Sequence, residues 1–241
     1  MNHFLWLYLP PVIGLIAVAA ICHYLLLNRP AYRGWWGEYK VNFMLRLCLS
    51  GEYHVLTNAL YRGQLPGETT QIDHIVVSRY GLFVLETKCF KGKIITDPTE
   101  PELWIQIVRR RKYKLQSPLI QNYAHVKALQ KVTGIHSQQI HSFAVMAGSA
   151  SFPYGMPEGV FGIWGVVRMI QSFRTPVFTP GHVGSLLKGL ERRRMKGGYW
   201  AAKRHADRLN SKHQQSNSSG LGTSRGTSQV ERPEAPRELG L

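Results

Sequence analysis

Strand-length apolar runs interleaved with helical patterns predict an α/β or α+β sandwich, a sheet covered by helices. Three observations carry that expectation. The stretch QIDHIVVSRYGLFVLETK (71–88) reads as two strands joined by the turn residues SRYG. PLIQNYAHVKALQKVTG (118–134) reads as a helix, opened by proline and ended by glycine. Two further apolar runs, HSFAVMAG (141–148) and GVFGIWGV (159–166), follow it as strands.

In chain order, residues 4–27 come first, 24 residues without a formal charge. At about 1.5 Å per residue they span about 36 Å, enough for a hydrocarbon core of about 30 Å. They are expected to form a transmembrane anchor within residues 1–28, with Pro10-Pro11 kinking its first third. No Lys or Arg precedes the run, which disfavours a signal peptide. Arg29, Arg33 and Lys40 follow it, so the positive-inside rule puts the C-terminal part in the cytoplasm. The expected location is a membrane of the bacterial inner-membrane type, crossed once.

Residues 36–49 have helical spacing, with Val41, Met44, Leu45 and Cys48 on one stripe. Residues 53–60 read as a first strand and a polar loop leads to Thr70. Strands over 72–78, 82–88 and 93–96 follow. Residues 103–116 carry no decisive period. A last helix begins at Thr179 or Pro180 and becomes strongly basic from Lys188. Residues 171–212 form a basic helical extension, and 213–241, rich in Ser, Gly, Pro and charge, read as a disordered tail.

Lys and Arg number 30 against 14 Asp and Glu, a formal charge of +16 that favours nucleic acid or an acidic membrane surface as partner. Three cysteines without CxxC spacing argue against a disulfide framework or a zinc cluster.

Charged groups inside the hairpin are the unusual feature, because buried charges are costly unless paired or bound to a cation. Alternation puts Leu82, Val84, Glu86 and Lys88 on one face, and a tight hairpin brings Asp73 alongside Glu86. Two close carboxylates repel unless a cation lies between them, and an oxygen pair suits Mg²⁺ or Mn²⁺. Lys88 would then orient water or meet the charge that grows on a phosphate.

GEYKV (37–41), the 71–88 hairpin, Gly92, Trp104 and SPLIQNYAHVKAL (117–129) together resemble the nuclease-related domain family of the PD-(D/E)xK nuclease superfamily. The likeness covers residues 33–134 and extends more loosely to about 167. It implies a restriction-endonuclease-like mixed sheet flanked by helices over 33–170. By the resemblance, Asp73 and Glu86 are the metal ligands and Lys88 the catalytic lysine. Glu38 matches the acid of the first helix and Gln121 the glutamine of the helix after the strands. His125, one turn after Gln121, is expected to contact phosphate or to be half-buried, and His74 to pack or hydrogen-bond on the face opposite Asp73. Cys89 departs from the polar residue the family carries there.

The implied activity is hydrolysis of phosphodiester bonds in nucleic acid, DNA favoured. RRRKYK supplies Arg109, Arg110, Arg111, Lys112 and Lys114 as phosphate contacts, salt-sensitive and without sequence preference. Tyr113, Tyr199 and Trp200 are stacking candidates for unpaired bases. Two alternatives stay open: a non-catalytic module of the same fold that binds nucleic acid, protein or lipid, and a basic surface that serves lipid contact.

Overall fold

In the computed structural model, residues 3–26, 29–63, 65 and 67–195 are described. Two sheets carry the strands. The larger contains β1 (His54–Arg62), β2 (Thr69–Ser78), β3 (Gly81–Lys88), β7 (Ile140–Met146) and β8 (Val160–Gly162), in that spatial order. β1, β2 and β3 pair antiparallel, then β7 and β8 join in parallel, which makes the sheet mixed. β4 (Lys93–Thr96), β5 (Leu103–Val108) and β6 (Arg111–Gln116) form a second, antiparallel sheet.

Helices cover the larger sheet on both faces. Ile75, Val77, Leu82 and Val84 pack with Leu129 of α3 (Pro118–Thr133) and with Val183, Leu186 and Leu190 of α5 (Pro180–Arg193). Val76, Phe83 and Leu85 point the other way, onto Val41 and Leu45 of α2 (Pro30–Cys48) and Val166 and Ile170 of α4 (Ile163–Ser172). Coverage of both faces is why β3 reads as an almost unbroken apolar run. A charge near its end is therefore conspicuous.

Local chemistry sets the helix ends that matter. Ser117 caps α3 by accepting from Leu119 N, Pro118 takes the first turn, and Gly134 closes the helix in the left-handed region at φ 75°. Gly37 lets α2 lie close to the sheet, since a Cβ there would stand 3.1 Å from Cβ of Cys89. Lys40 reinforces the contact, its Nζ donating to Ala147 O at 2.6 Å.

Several expected boundaries shift. α2 begins at Pro30, six residues before the expected start, because a proline suits the first helical turn. Residues 103–116 resolve into the β5–β6 hairpin, turning at Arg109 and Arg110. The run 159–166 is not one strand: β8 ends at Gly162 and α4 starts at Ile163. Val166, Val167 and Ile170 then share a helix stripe against α2, and that longer-range period overrides the short apolar run.

Helix α1 runs His3–Leu26, with Pro10-Pro11 inside it. Among the described residues, no single helix is long and apolar enough to cross a membrane. Pro11–Leu26 and Ala31–Cys48 meet the length and composition test only as a pair, bent by 112°. Val12, Ile13, Leu15, Ile16, Val18 and Ile21 of α1 are all exposed. Residues 196–241, with Tyr199, Trp200 and the expected tail, lie outside the described residues. Within the described part of the basic extension, Arg193 donates to Val132 O and Arg194 to Thr57 O at 2.7 Å, so these two cations help fasten α5 to the core.

Candidate functional site

The β2–β3 register pairs His74 with Leu85, which makes Asp73 and Glu86 the next opposed pair on the α3 side of the sheet. Glu86 is 2 % exposed and has a partner on each oxygen. Lys88 Nζ donates to Oε1 at 2.6 Å, and His125 Nε2 meets Oε2 at 3.1 Å. The same ammonium donates to Gln121 Oε1 at 2.9 Å. Glu86, Lys88 and Gln121 are thus brought together as the sequence implied.

His125 is a buried partner of Glu86. Its Nδ1 lies 2.6 Å from Thr70 Oγ1, and an Nε2–H donates to Glu86 Oε2. The expectation of a phosphate contact or a half-buried ring is corrected: at 3 % exposure, His125 is enclosed by α3, β2 and β3. The i,i+4 spacing of Gln121 and His125 hinted at a shared face. Thr70 carried no signal, because its role depends on strand β2 reaching back to Thr69. Asn122 was also missed; it is fully buried and donates to Val84 O and Phe143 O at 3.1 Å each, tying α3 across β3 and β7.

Asp73 Oδ2 accepts from Thr87 N at 2.8 Å. Burial, then the negative charges of Glu86 and Glu38, push its carboxyl well above the usual carboxylate range. Glu38 reaches the same region from α2, and burial followed by repulsion from Glu86 raises it too. Glu86 goes the other way. Burial opposes its charge, yet the bonds from His125 and the Lys88 ammonium outweigh that and hold it below its normal range. One carboxylate is paired with a cation, while burial first and repulsion second disfavour the charged forms of its two neighbours.

The donor set is all carboxylate oxygen near the site centre, suited to a hard divalent cation. Among the described residues, no group of three or more His, Cys, Asp and Glu is already gathered for a metal. Each Glu86 oxygen accepts one bond and keeps a second lone-pair direction, and Asp73 keeps Oδ1 unassigned. Two or three protein oxygens with water completing the shell fit Mg²⁺ or Mn²⁺.

Residues 33–147 match the nuclease-related domain family. The matched segment contains every residue of the carboxylate cluster, and β8 and α4 extend the sheet and its cover beyond it. An uncharacterized protein of Bacillus anthracis is 40% identical over 101 residues, which are 42% of this chain and 47% of that protein. The match thus spans less than half the length of that relative. No solved structure matches the chain.

His74 is buried on the α2 face, as expected of a packed or hydrogen-bonded ring. Burial lowers its pKa from 6.5 to about 4, against a smaller raising effect from the Glu38 backbone. A base with a depressed folded-state pKa favours folding above its unfolded value and loses that contribution as pH falls. Between pH 6.5 and about 4 the loss reaches about 3 kcal/mol. In EDTA, His74→Gln is therefore expected to flatten the fall of unfolding free energy between pH 7 and 5. An unchanged slope by urea titration contradicts the assignment.

The basic residues lie apart from this cluster in the secondary structure. Arg109 and Arg110 turn the β5–β6 hairpin, and Arg111, Lys112 and Lys114 follow on β6, all exposed. They belong to the second sheet, whereas the carboxylates belong to the first.

Proposed function

We propose that the protein is a membrane-anchored nuclease that hydrolyses phosphodiester bonds with Mg²⁺ or Mn²⁺, DNA being the favoured substrate. The supporting observation is Asp73 opposite Glu86, with Lys88 bonded to Glu86 and Gln121. That arrangement follows the pattern of the PD-(D/E)xK nuclease superfamily, with Glu38 and Gln121 completing the pocket. Asp73 and Glu86 would hold the cation, with Glu38 as a third carboxylate. A bound divalent cation supplies polarisation of the phosphoryl oxygen and a more acidic water.

The chain's own groups do the rest. Thr70 and His125 fix the far oxygen of Glu86, so its carboxylate keeps one orientation. Gln121 holds the Lys88 ammonium beside it. As a water oxygen bonds to phosphorus and one P–O ester bond breaks, negative charge grows on the phosphoryl oxygens, and Lys88 donates to it. The exposed cations at 109–112 and 114 give a polyanion an electrostatic seat without base readout. Helix α1, with its exposed apolar side chains, is the proposed anchor, leaving the domain on the cytoplasmic side.

A second reading, a non-catalytic module of the same fold, draws on a different observation: both Glu86 oxygens already have protein partners. The full chain in detergent, given linear and circular DNA and RNA with Mg²⁺, Mn²⁺ or EDTA, separates the two. Cleavage that needs the metal is expected. Folded protein that binds nucleic acid but cleaves none under any condition favours the module.

A further inference from the structure

We propose that the outer face of α2 lies in the headgroup layer of an acidic bilayer, so that this helix holds the domain against the membrane from which α1 emerges. This rests on the reading of α1 as an anchor. Trp35, Tyr39, Phe43 and Leu47 recur every fourth residue along α2, and their exposures are 54%, 47%, 53% and 66%. The opposite side of the helix, Gly37, Val41 and Leu45, is buried against the sheet and its neighbours. A helix with both faces apolar needs a second apolar surface, and here that surface is not protein among the described residues.

Four observations commit this face to lipid. First, the stripe begins with Trp and Tyr, the side chains that sit at a membrane interface with an apolar body and a wet edge. Second, it is continuous with α1: His23 near the end of α1 lies 2.8 Å from Tyr32 Oη and packs edge-on to Trp36 at 4.9 Å. Third, α2 is bent 112° from the apolar helix before it, close to a right angle. With α1 along the bilayer normal, α2 then runs nearly in the plane, as an interfacial helix does. Fourth, the charge suits acidic headgroups. Helix α2 carries Arg33, Lys40 and Arg46 against one acid, and that acid, Glu38, faces the carboxylate cluster; Arg29 and Arg46 are exposed.

The consequence is positional. Because Glu38 sits on α2, the active-site cluster would lie close beneath the membrane surface, while the β5–β6 cations belong to a separate sheet.

The full chain is reconstituted into vesicles of phosphatidylglycerol and phosphatidylcholine, the latter brominated near the headgroup, in a Trp6→Phe background that silences the α1 tryptophan. Flotation reports the anchor, and bromine quenching of tryptophan fluorescence reports α2. The expected result is flotation with quenching, most of it lost on adding Trp35→Phe. Flotation with quenching that Trp35→Phe leaves unchanged, or with no quenching, overturns the α2 proposal and leaves the anchor standing. A chain that does not float after a high-salt wash overturns the anchor, and this proposal with it. An unquenched Trp35 together with a detergent dimer that Phe43→Asp dissociates assigns the face to a second copy, which also overturns it.

Discussion

Lys88→Met is expected to lower metal-dependent cleavage by about 10²–10³-fold, the usual loss when a donor aimed at developing charge is removed. The geometry explains the size. The ammonium makes two bonds, to Glu86 Oε1 and Gln121 Oε1, and its side chain keeps 24% exposure. It is therefore held in place but open to a substrate. Methionine keeps the length and apolar stem and removes the charge together with its two donated bonds. Its removal also strips Glu86 of one of the groups that keep it ionised, leaving His125 alone to oppose the cost of burial. The loss should be deepest at low pH, where Glu86 then protonates more readily. Initial rates across pH 6–9 for protein with an unchanged circular dichroism spectrum check this. A change within threefold would remove Lys88 from the chemistry.

Asp73→Asn is expected to abolish cleavage and, in EDTA, to make the protein more stable at neutral pH. The sign follows from the direction of its shift. A carboxyl whose folded-state pKa is raised contributes stability below its unfolded pKa, and that contribution is lost as pH rises through the folded value. At pH 7 the charged form is thus a burden, imposed by burial and by Glu86 and Glu38. Asparagine removes the charge and still accepts from Thr87 N. Each kcal/mol of relief raises Tm by about 2–4 °C in a domain of this size. With Mn²⁺ the order is expected to reverse, because the native protein gains about 2.7 kcal/mol at a hundredfold excess over Kd and the variant gains little. Calorimetry with and without Mn²⁺ reads both signs. A variant less stable in EDTA would mean that Asp73 is a structural group.

The central hairpin was legible because its chemistry is local. Eight Ile, Val, Leu and Phe residues around one Asp and one Glu-x-Lys in tight register fix which side chains oppose, and the structure keeps that register from Ser78 to His74. Helix α3 was equally plain, bracketed by Ser117-Pro118 and Gly134. What the sequence concealed depends on distant residues. His125 becomes a partner of Glu86 only when α3 lies across β3, and Thr70 only when β2 extends to Thr69. The β8-to-α4 transition was hidden because GVFGIWGV is apolar in either conformation, and only packing of Val166 and Ile170 on α2 decides it. The 103–116 hairpin was obscured by three consecutive arginines, two of them in its turn.

The proposed chemistry requires Asp73 and Glu86 to collect a divalent cation. Equilibrium titration of Mn²⁺ into the full chain, followed by electron paramagnetic resonance of the free ion, tests it most directly. Saturable binding is expected that weakens at least about tenfold in Asp73→Asn and in Glu86→Gln, since even an outer-shell partner of a metal ligand is worth about 10–100-fold. Folded protein that takes up no Mn²⁺, or takes it up equally well in both variants, would contradict it.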